Sequence, residues 1–258
     1  MQLPLLPPEL LVDTSQRATS GIRIGLPKAS EPQRPTYGIR KPPKHAPNGV
    51  PAPLRALEYV VVDVETTGSG YMRGHRITEI AAIRVNGKGE VMGEYESLVN
   101  PDRPIPPIVS ALTNITYDMV KHAPRFWEIA PRVYELLDGA VFVAHNAQFD
   151  WGFVTEEMRR ASAPVLDSRT LCTVRLARKV VPEVTSRSLD ALQYFFNVDN
   201  RARHRAYGDA LATTTIFARL LDRLEDREVS DWDALQKFLR QRAKRKKRRA
   251  NPQSMDEA

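Results

Sequence analysis

The stretch Tyr59-Val60-Val61-Val62-Asp63-Val64-Glu65-Thr66-Thr67-Gly68 decides how the rest of the chain is read. An unbroken apolar run of this length reads as a strand covered on both faces. It ends in two carboxylates at i and i+2, followed by polar residues and a glycine. Side chains two apart on a strand share a face, so Asp63 and Glu65 project together from the strand end, with Val62 and Val64 on the opposite side. Two carboxylates held that close repel unless a positive charge intervenes. A divalent cation with oxygen ligands, such as magnesium or manganese, meets that need. The segment alone leaves a second reading open, a strand end carrying two solvated acids.

Around this strand the pattern changes sharply at both ends. Residues 1–55 hold eleven of the twenty prolines, eight Lys/Arg and three acids, with no helical or strand period. They read as a disordered, basic arm. Residues 237–258 hold nine Lys/Arg and two acids. With a net charge of +7 for all 258 residues, the middle carries −5 between arms of +5 and +7. Basic arms on an acidic centre point to a polyanion, most simply nucleic acid, or to solubilising tails. The expected organisation is therefore an arm over 1–55, a folded domain over 56–228 and a basic, partly helical tail over 229–258.

No apolar run reaches the roughly 18 residues of a bilayer span, and the proline-broken N-terminus has no basic region of a signal peptide. The single cysteine, Cys172, excludes an internal disulfide and fits a reducing compartment. The expected location is the cytoplasm, with no membrane partner.

Following the first strand, Gly68, Gly70 and Gly74 mark a loop, and Ile77–Val85 reads as a second strand. Asn86-Gly87-Lys88-Gly89 has the residue types of a hairpin turn, and Val91–Val99 gives a third strand, completing an antiparallel meander. A proline-rich loop leads to a short helix near Ser110 and a longer one over Trp127–Leu137. Pro131 marks a kink or the true start of that second helix. Ala140–Asn146 reads as a fourth strand, with a helix from about Ala147. Residues 170–180, 188–196, Asp209–Leu224 and 231–249 read as further helices. Strands and helices in this order predict an α/β fold, a mixed sheet with helices on its faces.

Three further residues stand out. Asp150 lies in the first turns of the helix after the fourth strand, in His145-Asn146-Ala147-Gln148-Phe149-Asp150. Asp209 opens the long helix in His204-Arg205-Ala206-Tyr207-Gly208-Asp209, and His204 precedes it in a loop. Singly, each acid is a favourable helix N-terminal charge, and His204 among Arg201, Arg203 and Arg205 is a solvated base.

Taken in order, Asp-x-Glu-Thr-Thr-Gly, His-Asn-Ala-x-Phe-Asp and His-x-x-x-x-Asp resemble the three motifs of the DEDD superfamily of 3′–5′ exonucleases, histidine subclass. Within it the chain is similar to the proofreading epsilon subunits of bacterial DNA polymerase III. The resemblance covers about 57–225, including Ser188-Leu189-Asp190-Ala191-Leu192, and excludes both arms. It implies a ribonuclease H-like fold and two divalent cations, Mg²⁺ or Mn²⁺, held by Asp63, Glu65, Asp150 and Asp209, with Asp63 bridging them. The implied general base is His204; an imidazole's ordinary pKa of about 6.5 suits proton transfer near neutrality. Thr66, Thr67 and Phe149 resemble residues that contact the terminal nucleotide, although Phe149 suits a core position equally. His145 belongs to the motif but is not a metal ligand there.

The implied activity is stepwise release of nucleoside 5′-monophosphates from single-stranded or frayed DNA 3′ ends, in replication proofreading with a DNA polymerase as partner. Two alternatives stand beside it: an RNA-trimming exoribonuclease, because the motifs act on the phosphate and not the sugar, and a non-catalytic nucleic-acid or clamp adaptor. Gln2-Leu3-Pro4-Leu5-Leu6 resembles the short peptides that dock on bacterial sliding clamps. Lys244–Arg249, six basic residues in a row, suits phosphate neutralisation or protein docking.

Overall fold

The computed structural model describes residues 52–200 and 202–241. The clamp-like peptide Gln2–Leu6 and the basic run Lys244–Arg249 lie outside these residues. A five-stranded sheet runs in the order β3-β2-β1-β4-β5, where β1 is Tyr59–Thr66, β2 Ile77–Val85, β3 Val91–Leu98, β4 Val141–Ala144 and β5 Thr170–Cys172. The meander β1-β2-β3 is antiparallel, and β4 and β5 add in parallel to β1. This is the mixed, ribonuclease H-like α/β arrangement the sequence leads one to expect.

The central position of β1 explains its composition. Tyr59, Val60, Val61 and Val62 are at most 1 % exposed because both faces of the strand are covered. On one face, Tyr59 and Val61 pack with Ala81 and Ile83 of β2 against helices α5 (Thr173–Val180), α6 (Leu189–Phe196) and α7 (Ala206–Glu225). The ring of Tyr59 meets Phe217 edge-on at 4.8 Å, and its hydroxyl donates to the Leu54 carbonyl at 2.7 Å. On the other face, Val60, Val62 and Val64 pack against α3 (Phe126–Leu137) and α4 (Ala147–Arg160). The period-two alternation of β1 thus feeds two separate cores, and it assigns Asp63 and Glu65 to the α7 side.

The hairpin between β2 and β3 turns at Gly89, whose φ of +86° suits a residue without a Cβ. Asn86 closes the turn by accepting the Lys88 and Glu90 amides at 2.9 and 3.1 Å. Short helices α1 (Pro107–Thr113) and α2 (Tyr117–Val120) fill the segment before α3.

Several boundaries differ from the sequence reading, the fourth strand among them, which spans only Val141–Ala144 and leaves His145 and Asn146 in the turn. Thr170–Cys172 is a strand and not the first turn of a helix: it pairs with Phe142–Ala144, and α5 starts only at Thr173. Helix α3 begins at Phe126 and runs through Pro131. Its start is fixed by Glu128, whose carboxylate accepts the Arg125 N–H at 2.8 Å. Helix α7 begins at Ala206, so Asp209 sits within its first turn instead of opening it. Among the described residues the last helix, α8, spans Trp232–Arg240; Asp231 caps it by accepting the Ala234 N–H at 2.8 Å. Leu235 of α8 and Leu54 before β1 are both buried in the core on the α7 side, and the backbone at Leu54 donates to the Ser230 carbonyl at 2.8 Å.

Candidate active site

Four segments meet at the C-terminal end of β1. The strand supplies Asp63 and Glu65 on its α7 face. Helix α7, lying against β1 and β2, brings Asp209 to them in its first turn. One carboxylate oxygen from each of Asp63, Glu65 and Asp209 lies within 4.8 Å of the others. Asp150 stands beside this trio, not within it. It is 3 % exposed in the first turn of α4, and its Oδ1 accepts the Val64 N–H at 3.2 Å. That bond ties α4 to the strand between the two β1 carboxylates.

The electrostatics follow from this crowding. Burial pushes Asp63 well above the usual carboxylate range, and the charges of Asp150, Asp209, Glu65 and Glu79 push it further. Glu65 is raised to about 7, first by burial and then by Asp209 and Glu79, while Arg205 opposes the shift. Asp150 is raised by burial despite the amide donors it accepts. Burial also raises Asp209, against the pull of the Asn200 amide and the His204 N–H. Burial is the first cause in all four, and like-charge neighbours add to it for Asp63, Glu65 and Asp150. Oxygen-only donors carrying uncompensated charge fit hard divalent cations.

His204 occupies the loop before α7 with φ +57°. Its backbone N–H donates to Asp209 Oδ2 at 3.1 Å, and Asn200 Nδ2 donates to Oδ1 at 2.7 Å. Both oxygens of Asp209 are thereby tied to the loop that carries the histidine.

The loop after β1 is closed by its own polar groups. Thr66 Oγ1 donates to the Gly68 carbonyl at 2.8 Å. Thr67 is fully buried; its hydroxyl accepts the Arg76 N–H at 3.1 Å and lies 3.2 Å from His75 Nδ1. The Arg76 guanidinium and the buried Glu157 carboxylate form a two-pronged pair at 2.6 and 2.9 Å that pins this loop to α4. Phe149 is half-buried and packs against Phe153, ring centres 4.9 Å apart. His145 is also half-buried, with Nδ1 2.9 Å from Thr173 Oγ1, and burial lowers its pKa. That contact links the turn after β4 to the first residue of α5.

Three residues near the site had escaped the sequence reading: Asn200, Glu79 and Glu157. Each works through partners remote in sequence or in an irregular loop. Glu79 left the one visible trace, an acid inside the mostly apolar run Ile77–Val85.

Both the sequence and the fold have known relatives. The exonuclease family model of the RNase T type matches residues 60–217. The chain is 40 % identical over 190 residues to a DNA polymerase III subunit epsilon-like protein of Rhodobacter capsulatus, covering 71 % of this chain and 26 % of that one. It is 38 % identical over 171 residues to the 3′-5′ exonuclease DinG of Bacillus subtilis, covering 66 % and 18 %. The chain thus spans less than a third of the length of either relative. Among solved structures, Exonuclease X in complex with 5′ overhanging duplex DNA superposes with a TM-score of 0.51 and 30 % identity, over 70 % of this chain and 99 % of that one.

Proposed function

Because the chain belongs to the exonuclease family, we propose that it removes nucleoside 5′-monophosphates one at a time from single-stranded or frayed DNA 3′ ends. The observation that carries this reading is the convergence of Asp63, Glu65 and Asp209 within 4.8 Å, from positions scattered along the chain. A strand end with two solvated acids would need no third carboxylate brought in by a distant helix.

In this reading Asp63, Glu65, Asp150 and Asp209 would hold two divalent cations. Bound there, Mg²⁺ or Mn²⁺ would supply stabilisation of the charge on the attacking and leaving oxygens of the phosphodiester. His204 takes the proton from the attacking water, and the loop that carries it sets its approach. Thr66 and Phe149 border the terminal nucleotide, while the fully buried Thr67 acts only through the loop it anchors. Preference for a mispaired end would follow from melting, since a mismatched terminus costs less to unstack by a few kcal/mol. Replication proofreading with a DNA polymerase is the matching context. The clamp-like peptide Gln2–Leu6 offers a second tether, which deletion of residues 2–6 tests against clamp affinity.

The deciding experiment digests 3′-mismatched and matched DNA primers, and their RNA counterparts, with and without Mg²⁺. The expected result is metal-dependent release of 5′-mononucleotides from the 3′ end, faster on mismatched DNA. Undiminished cleavage by the D63A/E65A variant, or release from the 5′ end, would exclude the assignment. Equal or faster digestion of RNA would move the substrate to RNA.

A further inference from the structure

Glu79 is 5 % exposed on β2, in a strand whose other side chains are almost all apolar. A buried carboxylate is tolerated only when it is paired and hydrogen-bonded. Its partners all come from one short stretch 126 and 127 positions away. Arg205 Nε lies 3.0 and 3.1 Å from the two oxygens, Arg205 Nη2 lies 2.5 Å from Oε1, and the Ala206 N–H donates to Oε2 at 2.9 Å. A forked guanidinium–carboxylate pair fixes orientation as well as distance. The residue after His204 and the first residue of α7 are therefore both locked to β2.

The other side of His204 is locked through Asp209. Asn200 holds Asp209 Oδ1 and also accepts the Ala202 N–H at 3.1 Å, while the His204 amide holds Oδ2. Gly208 allows the loop to lie flush on the helix: a Cβ there would stand 2.3 Å from the Ala202 carbonyl oxygen. His204 thus sits in a left-handed conformation, uncommon for a side-chain-bearing residue, between two anchored neighbours. Glu79 is also the direct cross-strand partner of Glu65. The β1–β2 ladder that presents Glu65 to the cluster therefore sets the register of the histidine loop.

We propose that Glu79 and Arg205 form a positioning pair that fixes the placement of His204 relative to Asp63, Glu65 and Asp209. Its catalytic consequence rests on the exonuclease reading above. The pair acts through His204 and does not itself touch the reacting atoms. Displacing a general base by about an ångström is enough to cost roughly 100-fold in rate.

The test uses the full chain carrying Glu79→Gln, which keeps the shape and one acceptor, or Arg205→Lys, which keeps the charge and loses the fork. Each is also made in a His204→Ala background. The first readout needs no cleavage: the His204 imidazole signal by NMR and amide exchange over residues 202–205. In both variants that signal shifts or broadens and exchange at 202–205 quickens, while the His75 and His145 signals and the melting temperature hold. The second readout is steady-state digestion of a single-stranded DNA oligonucleotide with Mn²⁺. Each variant lowers kcat roughly 10- to 100-fold, with KM and the half-saturating Mn²⁺ concentration unchanged, and adds nothing in the His204→Ala background. An unchanged His204 signal, an equal kcat loss without His204, or a loss traced to weaker Mn²⁺ binding would overturn the proposal. Absence of cleavage by the unsubstituted chain would sink the exonuclease reading, and the His204 signal would still decide the positioning claim.

Discussion

The carboxylate of Asp209 accepts the backbone N–H of His204 at 3.1 Å, so the acid of the cluster and the histidine beside it are joined without the imidazole taking part. The imidazole can therefore be removed while the loop stays in place. His204→Ala is expected to lower kcat by roughly 100- to 10,000-fold, the range for a general base, with KM and the fold little changed. Asp209→Asn should cost at least as much and also loosen the loop, because an amide offers one acceptor where Asn200 and His204 need two. Steady-state kinetics and amide exchange at 202–205 separate the two outcomes.

The crowded carboxylates make stability depend on pH in a defined direction. Glu65 is raised from 4.5 to about 7, and Asp63, Asp150 and Asp209 are raised with it. Between the unfolded and folded values the native state binds more protons than the unfolded chain, so stability falls as pH rises. As far as these groups decide it, metal-free protein is expected to melt highest below about pH 4, where they are protonated in both states, and progressively lower as pH climbs through 7. Added Mn²⁺ should restore the melting temperature at pH 7.5, because a ligand bound only by the native state stabilises it. Thermal scans across pH with chelator and with Mn²⁺ check both directions. A melting temperature that rises between pH 5 and 7.5 without metal would contradict the charge balance.

Neutralising one member of the cluster should carry opposite signs for function and stability. Asp63→Asn removes the acid most affected by its neighbours, so metal-free protein is expected to melt higher at pH 7.5 than the unsubstituted chain. The same variant should lose Mn²⁺ affinity and nearly all cleavage. Calorimetric titration of Mn²⁺ beside thermal melting gives both signs in one preparation.

The pair of Arg76 and Glu157 anchors the loop after β1, with side chains 18 % and 3 % exposed. Glu157→Ala strands a guanidinium and leaves the Ile77 N–H without the acceptor it reaches at 3.4 Å. Breaking a buried pair on one side costs about 3–5 kcal/mol. Urea unfolding should show a loss of that size, whereas removing the exposed pair of Lys121 and Asp118 should change stability far less.

Gly152 faces Tyr71 across the same loop. A Cβ at Gly152 would stand 2.2 Å from Tyr71 Cε1, and the tyrosine ring is packed edge-on against Phe153 at 5.7 Å. Gly152→Ala is expected to destabilise by about 1–3 kcal/mol through overpacking. Adding Tyr71→Ala should recover part of the loss, a coupling that a double-mutant cycle measures directly.

Much of this was legible in the chain. The run Tyr59–Glu65, buried on both faces, announced the central strand, and the i, i+2 spacing of Asp63 and Glu65 placed both acids on one side. Asp150 and Asp209 were visible because each follows a recognisable strand or loop at the start of a helix. What escaped had physical reasons. Thr170–Cys172 is only three residues long and runs straight into α5, so no period distinguished strand from helix. The part played by Glu79 depends on Arg205, 126 positions away, a separation that no local pattern encodes. Asn200 acts from an irregular loop, where residue type says little about partners. Helix α3 passes through Pro131 because its start is set by Glu128 and by the buried face of Phe126, Ile129, Ala130 and Val133, contacts that outweigh one missing amide.

The order in which these pieces occur along the chain carries a consequence for biosynthesis. Asp63 and Glu65 emerge early, but Asp209 arrives on α7, near the end of the described fold. A nascent polypeptide that has built its whole sheet still lacks the third acid and the histidine. On the exonuclease reading, cleavage would therefore await the docking of that last long helix, and a product truncated before it would be expected not to cut.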